Sequence, residues 1–146
     1  MRSGLSIPTQ SSILLIDDNP DGVLARKAVL ETFGYRIVAA HSGTEAVQQV
    51  ESESFDLIVT DFKMEPINGL ELISQIRARG FSKPIILLSG FTDKLGLTPQ
   101  STGADMVLQK CASEADNLVR AIGRLLNPRK PAQRAGKQIR RAAQAR

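Results

Sequence analysis

Five short apolar runs, separated by longer segments of a different pattern, restrict the fold of this chain more than any other feature. The runs cover residues 13–16, 37–40, 57–60, 85–88 and 106–108. Each is almost continuously apolar rather than alternating, which is typical of strands that are covered on both faces in a parallel sheet. The segments between them repeat apolar residues at helical spacing. The sequence therefore predicts an α/β fold, (βα)5, with a doubly wound five-stranded parallel sheet.

Local signals mark the ends of the predicted helices. Asn19 followed by Pro20 is typical of the cap and first residue of a helix, which Gly34 is expected to end. Residues 42–45 are Ser-Gly-Thr-Glu, a capping-box pattern that predicts the start of the second helix. The apolar face of the first helix is expected to consist of Leu24, Ala28, Val29 and Phe33.

The fourth helical segment is the weakest of the five. Residues 91–102 contain Gly96 and Pro99 and few apolar residues at helical spacing. Because both residue types disfavour a helix interior, we expect a short or broken helix here.

The positive charge of the chain is concentrated near its end. Seven of the 19 basic residues and none of the 15 acidic ones fall in residues 127–146, so residues 1–126 carry 12 basic and 15 acidic groups. The net charge of +4 therefore comes from this tail. We expect a polar lead-in over residues 1–11, one domain over residues 12–126 and a basic, disordered tail over residues 127–146. The tail has no aromatic residue for base stacking, so nucleic acid is expected to bind weakly at most, and only through it.

Neither a membrane protein nor a secreted protein is indicated. No apolar run approaches the roughly 20 residues that a membrane span needs, and no apolar block follows Arg2 as in a signal peptide. The single cysteine, Cys111, can form neither an internal disulfide nor a cysteine-based metal site. We therefore expect a cytoplasmic protein and interpret Cys111 as a packed small residue.

Polar residues stand at the predicted carboxyl ends of four strands. Asp17 and Asp18 follow the first strand, and Asp61, Ser89 and Lys110 follow the third, fourth and fifth. Because the carboxyl ends of parallel strands share one edge of a sheet, these side chains are expected to converge. Three carboxylates repel one another unless a cation neutralises them, and oxygen ligands suit Mg²⁺. A lysine and a hydroxyl can donate to a phosphoryl group, which an aspartate beside Mg²⁺ can accept.

Four segments bring these residues into one recognisable pattern. They are Ile-Leu-Leu-Ile-Asp-Asp-Asn-Pro over residues 13–20, Asp-Phe-Lys-Met-Glu-Pro-Ile-Asn-Gly-Leu-Glu-Leu over 61–72, Ile-Leu-Leu-Ser-Gly over 86–90 and Gly-Ala-Asp-Met-Val-Leu-Gln-Lys over 103–110. In order and spacing this pattern resembles the receiver domain of two-component response regulators, over roughly residues 12–126. The resemblance implies a flavodoxin-like receiver fold. Since only 20 residues follow residue 126, we expect a stand-alone receiver without a fused output domain.

The resemblance also implies a role for each candidate residue. Asp61 would accept a phosphoryl group, Ser89 would be the switch hydroxyl and Lys110 would bind the phosphoryl group. The implied Mg²⁺ ligands are Asp17, Asp18, Asp61 and the backbone carbonyl of Lys63. A sensor histidine kinase or a histidine phosphotransfer protein would supply the phosphoryl group from its own phosphohistidine, and a downstream protein would respond to the phosphorylated state.

Several positions depart from the receiver pattern. Val107 stands where an aromatic residue is common, Cys111 stands where proline is common, and a glutamate interrupts the usual Met-Pro pair within residues 64–66. These departures leave the residues of the phosphoryl chemistry in place. They alter the fourth helix and the fifth strand, through which receivers of this family usually transmit the signal. We therefore expect phosphorylation to act by ordering residues 91–102, with Phe91 closing over the site.

Two other function classes stay open on the sequence. One is a Mg²⁺-dependent phosphohydrolase or phosphotransferase of small molecules, but related α/β phosphatases have a second aspartate two residues after the nucleophile, where this chain has Lys63. The other is a phosphorylation-independent interaction module, which Val107 favours and the complete set of candidate site residues disfavours. We expect no conventional enzyme, only a domain that catalyses its own phosphoryl transfer and dephosphorylation.

Overall fold

A computed structural model describes the chain over residues 10–90, 97–111 and 113–127. Within these ranges, five strands alternate with five helices. The strands are β1 (Ser12–Ile16), β2 (Arg36–Ala40), β3 (Leu57–Asp61), β4 (Ile85–Ser89) and β5 (Met106–Gln109). The helices are α1 (Pro20–Thr32), α2 (Gly43–Ser52), α3 (Gly69–Ala78), α4 (Pro99–Thr102) and α5 (Glu114–Leu126). The predicted (βα)5 fold is confirmed.

All five strands lie in one parallel sheet in the order β2-β1-β3-β4-β5. The register pairs Ile16 of β1 with Ala40 on one side and with Thr60 on the other. In a doubly wound sheet, ligands bind beyond the carboxyl ends of the strands where the order of strands reverses, which here is between β1 and β3. Asp17 follows β1 and Asp61 ends β3, so the two carboxylates stand on either side of this point.

Alternate residues of the strands pack into two hydrophobic layers on opposite faces of the sheet. In β1, Leu14 and Ile16 belong to the layer that includes residues of α2 and α3, while Ile13 and Leu15 belong to the layer that includes residues of α1 and α5. All four side chains are at most 1% exposed. This burial on both faces explains why the strand sequences are continuously apolar.

The first helix buries a different face from the predicted one. Val23 and Leu30 are buried, whereas Leu24 is 68% exposed and Phe33 is 60% exposed. The inward face follows the spacing i, i+3, i+4, i+7 and so includes residues 26–27, an arginine and a lysine that are only partly exposed. The prediction was wrong because it counted apolar residues alone and so left these two charged positions out of the inward face.

The ends of the first two helices follow their sequence signals. The side chain of Asn19 accepts the backbone N–H of Asp21 at 3.0 Å, and that of Ser42 accepts the backbone N–H of Glu45 at 3.1 Å. The carboxylate of Glu45 accepts the backbone N–H of His41 at 2.8 Å. Ser42 and Glu45 therefore cap the start of the second helix together. In a capping box the glutamate would accept the backbone N–H of Ser42, whereas here Glu45 accepts that of the preceding residue.

Over the described part of the predicted segment, residues 97–102, the fourth helix is a single turn, which agrees with the prediction of a short or broken helix. It begins at Pro99 and ends at Thr102, and Gly103 follows with a φ of 81°, a conformation that favours glycine. The predicted lead-in up to residue 9, residues 91–96 with Phe91, and the tail from residue 128 lie outside the described residues. None of the described helices has both the length and the apolar character that crossing a membrane requires.

Candidate functional site

Three carboxylates meet at the carboxyl ends of β1 and β3. Asp17, Asp18 and Asp61 each present an oxygen atom, and these three atoms lie within 4.8 Å of one another. Asp17 is 2% exposed and Asp61 is 4% exposed, whereas Asp18 is open to solvent. The structure thus brings together the three aspartates that were predicted to converge from their positions at the ends of strands.

Lys110 joins this group from the end of β5. Its Nζ lies 2.5 Å from Oδ1 of Asp61. The backbone N–H of Lys110 donates to the carbonyl of Ser89 at 2.8 Å, so β4 and β5 remain paired up to the site. Ser89 ends β4 and is 2% exposed. The lysine, the serine and the acidic cluster therefore lie at one edge of the sheet.

Burial raises the pKa of Asp61 above its ordinary value. Loss of solvation is the largest cause, and the charge of Asp17 acts in the same direction, while Lys110 and Arg26 lower the pKa only in part. An ionised Asp61 is therefore poorly solvated, although Lys110 pairs with it. A cluster of three carboxylates that is partly buried offers the oxygen donors that a hard divalent cation such as Mg²⁺ prefers.

Arg26 brings a second cation into the site, which the sequence analysis missed. Its Nη1 lies 2.6 Å from Oδ2 of Asp17, and its Nε lies 2.5 Å from Oε2 of Glu114 in the first turn of α5. The side chain of Arg26 is only 12% exposed. The available signal was an arginine between Val23 and Leu30, two core positions seven residues apart on one helix face.

Lys63 lies two residues after Asp61, in the segment between β3 and α3. Its side chain is exposed. The position next to the acidic cluster is compatible with the predicted role of its backbone carbonyl, which stays a prediction.

Gly69 allows α3 to begin directly against the backbone of Asp61. A Cβ atom at Gly69 would lie 2.5 Å from the carbonyl oxygen of Asp61 and 2.8 Å from Cδ1 of Leu87. The backbone N–H of Gly69 donates to the carbonyl of Phe62 at 2.8 Å. This close approach fixes the backbone that carries Asp61, and it requires a residue without a side chain.

Val107 and Cys111, two of the residues that depart from the receiver pattern, differ in burial. Val107 is half-buried and packs against the hydrophobic layer of α2 and α3. Cys111 is exposed, so its interpretation as a packed residue was wrong. The physical reason is its place in the surface connection between β5 and α5, where the Nδ2 of Asn117 lies 4.0 Å from its sulfur.

The comparison with family models agrees with this geometry. Residues 13–123 match the family model described as the response regulator receiver domain. The chain belongs to the response regulator receiver domain family. Receiver domains are signalling domains rather than conventional enzymes, and the receiver match includes Asp17, Asp18, Asp61, Ser89 and Lys110.

Curated relatives share the receiver region and extend well beyond it. The alkaline phosphatase synthesis transcriptional regulatory protein PhoP of Bacillus subtilis (strain 168) is 35% identical over 116 residues, which are 75% of this chain and 47% of that protein. The sensor protein EvgS of Escherichia coli O157:H7 is 35% identical over 81 residues, which are 56% of this chain and 7% of that protein. The chain thus spans less than half the length of either relative.

Solved receiver structures match almost from end to end. A response regulator receiver domain protein from Clostridium thermocellum has a TM-score of 0.73 and 28% identity, covering 84% of this chain and 98% of that one. The response regulator protein TrrA from Thermotoga maritima, in complex with Mg(2+)-BeF, has a TM-score of 0.72 and 30% identity, covering 80% of this chain and 99% of that one. The receiver fold is therefore supported by sequence and structure alike.

Proposed function

We propose that this protein is a phosphorylation-activated signalling switch that accepts a phosphoryl group on Asp61. A sensor histidine kinase or a histidine phosphotransfer protein supplies the group, and phosphorylation changes how the receiver binds a downstream protein in the cytoplasm. The observation that carries the proposal is the buried Asp61 carboxylate, with Lys110 Nζ at 2.5 Å and two further carboxylates within 4.8 Å. Residues 12–126 form the receiver domain in this proposal, and the basic tail lies outside it.

The acidic cluster is the proposed Mg²⁺ site. The residues that would hold the cation are Asp17, Asp18, Asp61 and, through its backbone carbonyl, Lys63. Support comes from the three carboxylate oxygens that lie within 4.8 Å of one another, and from the Thermotoga maritima relative in complex with Mg(2+)-BeF. When bound, Mg²⁺ would neutralise the carboxylates and the phosphoryl oxygens, so that like charges can approach one another.

In the proposed step, a carboxylate oxygen of Asp61 attacks the phosphorus atom of a phosphohistidine. A P–O bond forms as the P–N bond breaks, and the electron pair of the broken bond stays on the imidazole nitrogen of the donor. Lys110 donates to the transferred phosphoryl oxygens, and the hydroxyl of Ser89 donates to the same group in the phosphorylated state. Burial of Asp61 keeps water away from the acceptor carboxylate.

The test uses phosphoramidate, a small molecule whose P–N bond stands in for that of phosphohistidine. Incubation with Mg²⁺ should give a base-labile phosphoprotein that is absent when a chelator replaces Mg²⁺. Asp61→Asn should abolish the label, while Asp116→Asn, which changes an exposed aspartate of α5, should keep it. A wild-type protein that takes no label from phosphoramidate or acetyl phosphate would instead favour an interaction module that does not depend on phosphorylation.

A further inference from the structure

Arg26 links the acidic cluster to the first turn of α5. Its Nη1 donates to Oδ2 of Asp17 at 2.6 Å, and its Nε donates to Oε2 of Glu114 at 2.5 Å. The side chains of Arg26, Asp17 and Glu114 are 12%, 3% and 17% exposed. The three groups therefore form a largely buried ion network, in which each charge depends on its partners because water is mostly excluded.

Protein groups already contact both carboxylate oxygens of Asp17. Oδ2 accepts from Arg26, and Oδ1 accepts the backbone N–H of Asn19 at 2.9 Å. In the proposed function the same carboxylate is a ligand of Mg²⁺. A divalent cation at this carboxylate must therefore share Asp17 with the guanidinium or displace it.

The first turn of α1 leaves room for this ion pair. A Cβ atom at Gly22 would lie 3.1 Å from Nη1 of Arg26 and 3.1 Å from Oδ2 of Asp17. Glycine is unfavourable inside a helix. At position 22, however, any larger side chain would press on both Arg26 and Asp17. The glycine therefore leaves the space that this ion pair occupies.

We propose that Arg26 is an internal counter-ion that competes with Mg²⁺ for Asp17, and that Glu114 weakens this competition by holding the other side of the guanidinium. The inference rests on the proposed function, because it takes Asp17 to be a metal ligand. Arg26 is a positioning residue, since it acts through Asp17 and not on the phosphoryl donor. When Asp17 turns to the divalent cation, Arg26 keeps Glu114 as its partner and the guanidinium stays paired.

As a consequence, a residue of α5, Glu114, influences the affinity of the acidic cluster for Mg²⁺. In the metal-free protein, Arg26 offsets part of the negative charge of the cluster and holds α1 to the start of α5. Any change that strengthens the pairing of Arg26 with Glu114 frees Asp17 for the cation, and any change that weakens it has the opposite effect. Affinity for Mg²⁺ therefore depends on a glutamate that is not itself in the acidic cluster.

The first test measures Mg²⁺ affinity by isothermal titration calorimetry on the full chain, with no phosphodonor present. Arg26→Met removes the competing charge and keeps a long side chain that favours helix, so Mg²⁺ should bind about tenfold more tightly. The matched control is Lys27→Met, which removes a neighbouring cation whose Nζ pairs with Glu31 at 2.8 Å. The control should change the affinity by less than about twofold, because Lys27 pairs with Glu31 and not with a carboxylate of the acidic cluster.

Glu114→Gln should shift the affinity in the opposite direction. Arg26 then has Asp17 as its remaining charged partner, so Mg²⁺ should bind about three- to tenfold more weakly. Asp116→Asn, an exposed acid of the same helix turn, measures the effect of one lost negative charge and should weaken binding by less than about twofold. In the Arg26→Met background, Glu114→Gln should have no effect beyond that control.

Wild-type or weaker Mg²⁺ affinity in Arg26→Met would overturn the proposal, and so would a Glu114→Gln variant that matches Asp116→Asn. If Arg26→Met does not fold, the comparison of Glu114→Gln with Asp116→Asn decides. Labelling of Asp61 by phosphoramidate reports on the proposed function separately. Normal labelling with unchanged affinities rejects the role of Arg26 alone, whereas shifted affinities without labelling support that role and reject phosphoryl transfer.

Discussion

The ammonium nitrogen of Lys110 lies 2.5 Å from Oδ1 of Asp61, although their strands are not neighbours in the sheet. β4 lies between β3 and β5, so the ion pair spans the end of the strand that carries the buried Ser89. The pair therefore places an ammonium group and a carboxylate next to each other at the end of β4, the strand that Ser89 ends. This arrangement suits the binding of a phosphoryl group, which needs donors on several sides.

Lys110→Met tests the contribution of this ammonium group. The variant should fold, because the side chain of Lys110 is 31% exposed, but phosphorylation by phosphoramidate should slow by about 10- to 100-fold. Initial rates of labelling at saturating Mg²⁺ give the measurement. Lys83→Met removes an exposed lysine away from the site and should label at the wild-type rate, and an equally fast Lys110→Met would exclude Lys110 from phosphoryl binding.

The raised pKa of Asp61 predicts a pH dependence of stability in metal-free buffer. The folded state holds the proton of Asp61 to higher pH than the unfolded state, whose pKa is near the ordinary value of 3.8. Stability contributed by this group is therefore lost as pH rises from about that value through the raised pKa. Asp61→Asn removes the ionisation, so its advantage in melting temperature over the wild type should grow between pH 4 and pH 7.

The same comparison has an internal control. Saturating Mg²⁺ should reverse the order at pH 7, because the cation stabilises the wild-type cluster more than one that has lost a carboxylate. A difference in melting temperature that stays constant with pH, or that falls as pH rises, would contradict the environment assigned to Asp61.

Two helical glycines should respond to alanine in opposite directions. Gly69→Ala places a methyl group 2.5 Å from the carbonyl oxygen of Asp61, so the free energy of unfolding should fall by about 1–3 kcal/mol. Gly123→Ala has no heavy atom within 4 Å of the new methyl group and should gain up to about 1 kcal/mol from helix propensity. Urea unfolding measures both, and a stable Gly69→Ala with wild-type labelling would show that α3 need not approach Asp61 so closely.

The buried face of α1 can be tested with two leucines. Leu30 is fully buried whereas Leu24 is 68% exposed. Leu30→Ala should cost about 2–5 kcal/mol of unfolding free energy, and Leu24→Ala should change it by less than about 0.5 kcal/mol. Equal losses in urea unfolding would restore the face predicted from apolar spacing.

The strands and the ends that carry the candidate site were predictable because both depend on local sequence. A strand that is covered on both faces needs a run such as residues 13–16, and the residues just after such a run must lie at the edge of the sheet. Asp17, Asp61 and Lys110 could therefore be placed without knowing how the strands pair. The single-turn fourth helix was predictable for the same reason, since Pro99 acts on its own neighbours.

The part that could not be predicted depends on packing between distant elements. Arg26 and Glu114 are 88 positions apart in the chain, and neither stands at a strand end. Apolar periodicity also treats a charged position as exposed, whereas Arg26 lies on the inward face of α1 with its charge paired at both sides. A long side chain can extend from such a position to a charged partner, and only the packing of α1 against α5 determines which partner it meets.

The most direct measurement is chemical trapping of the acceptor residue. After incubation with phosphoramidate and Mg²⁺, borohydride reduces an aspartyl phosphate to homoserine, which peptide mass spectrometry locates by residue. We expect homoserine at position 61 in the wild-type protein, none without Mg²⁺, and none in Asp61→Asn. Homoserine at another aspartate, or a phosphoprotein of equal yield in Asp61→Asn, would contradict the assignment of Asp61 as the phosphoryl acceptor.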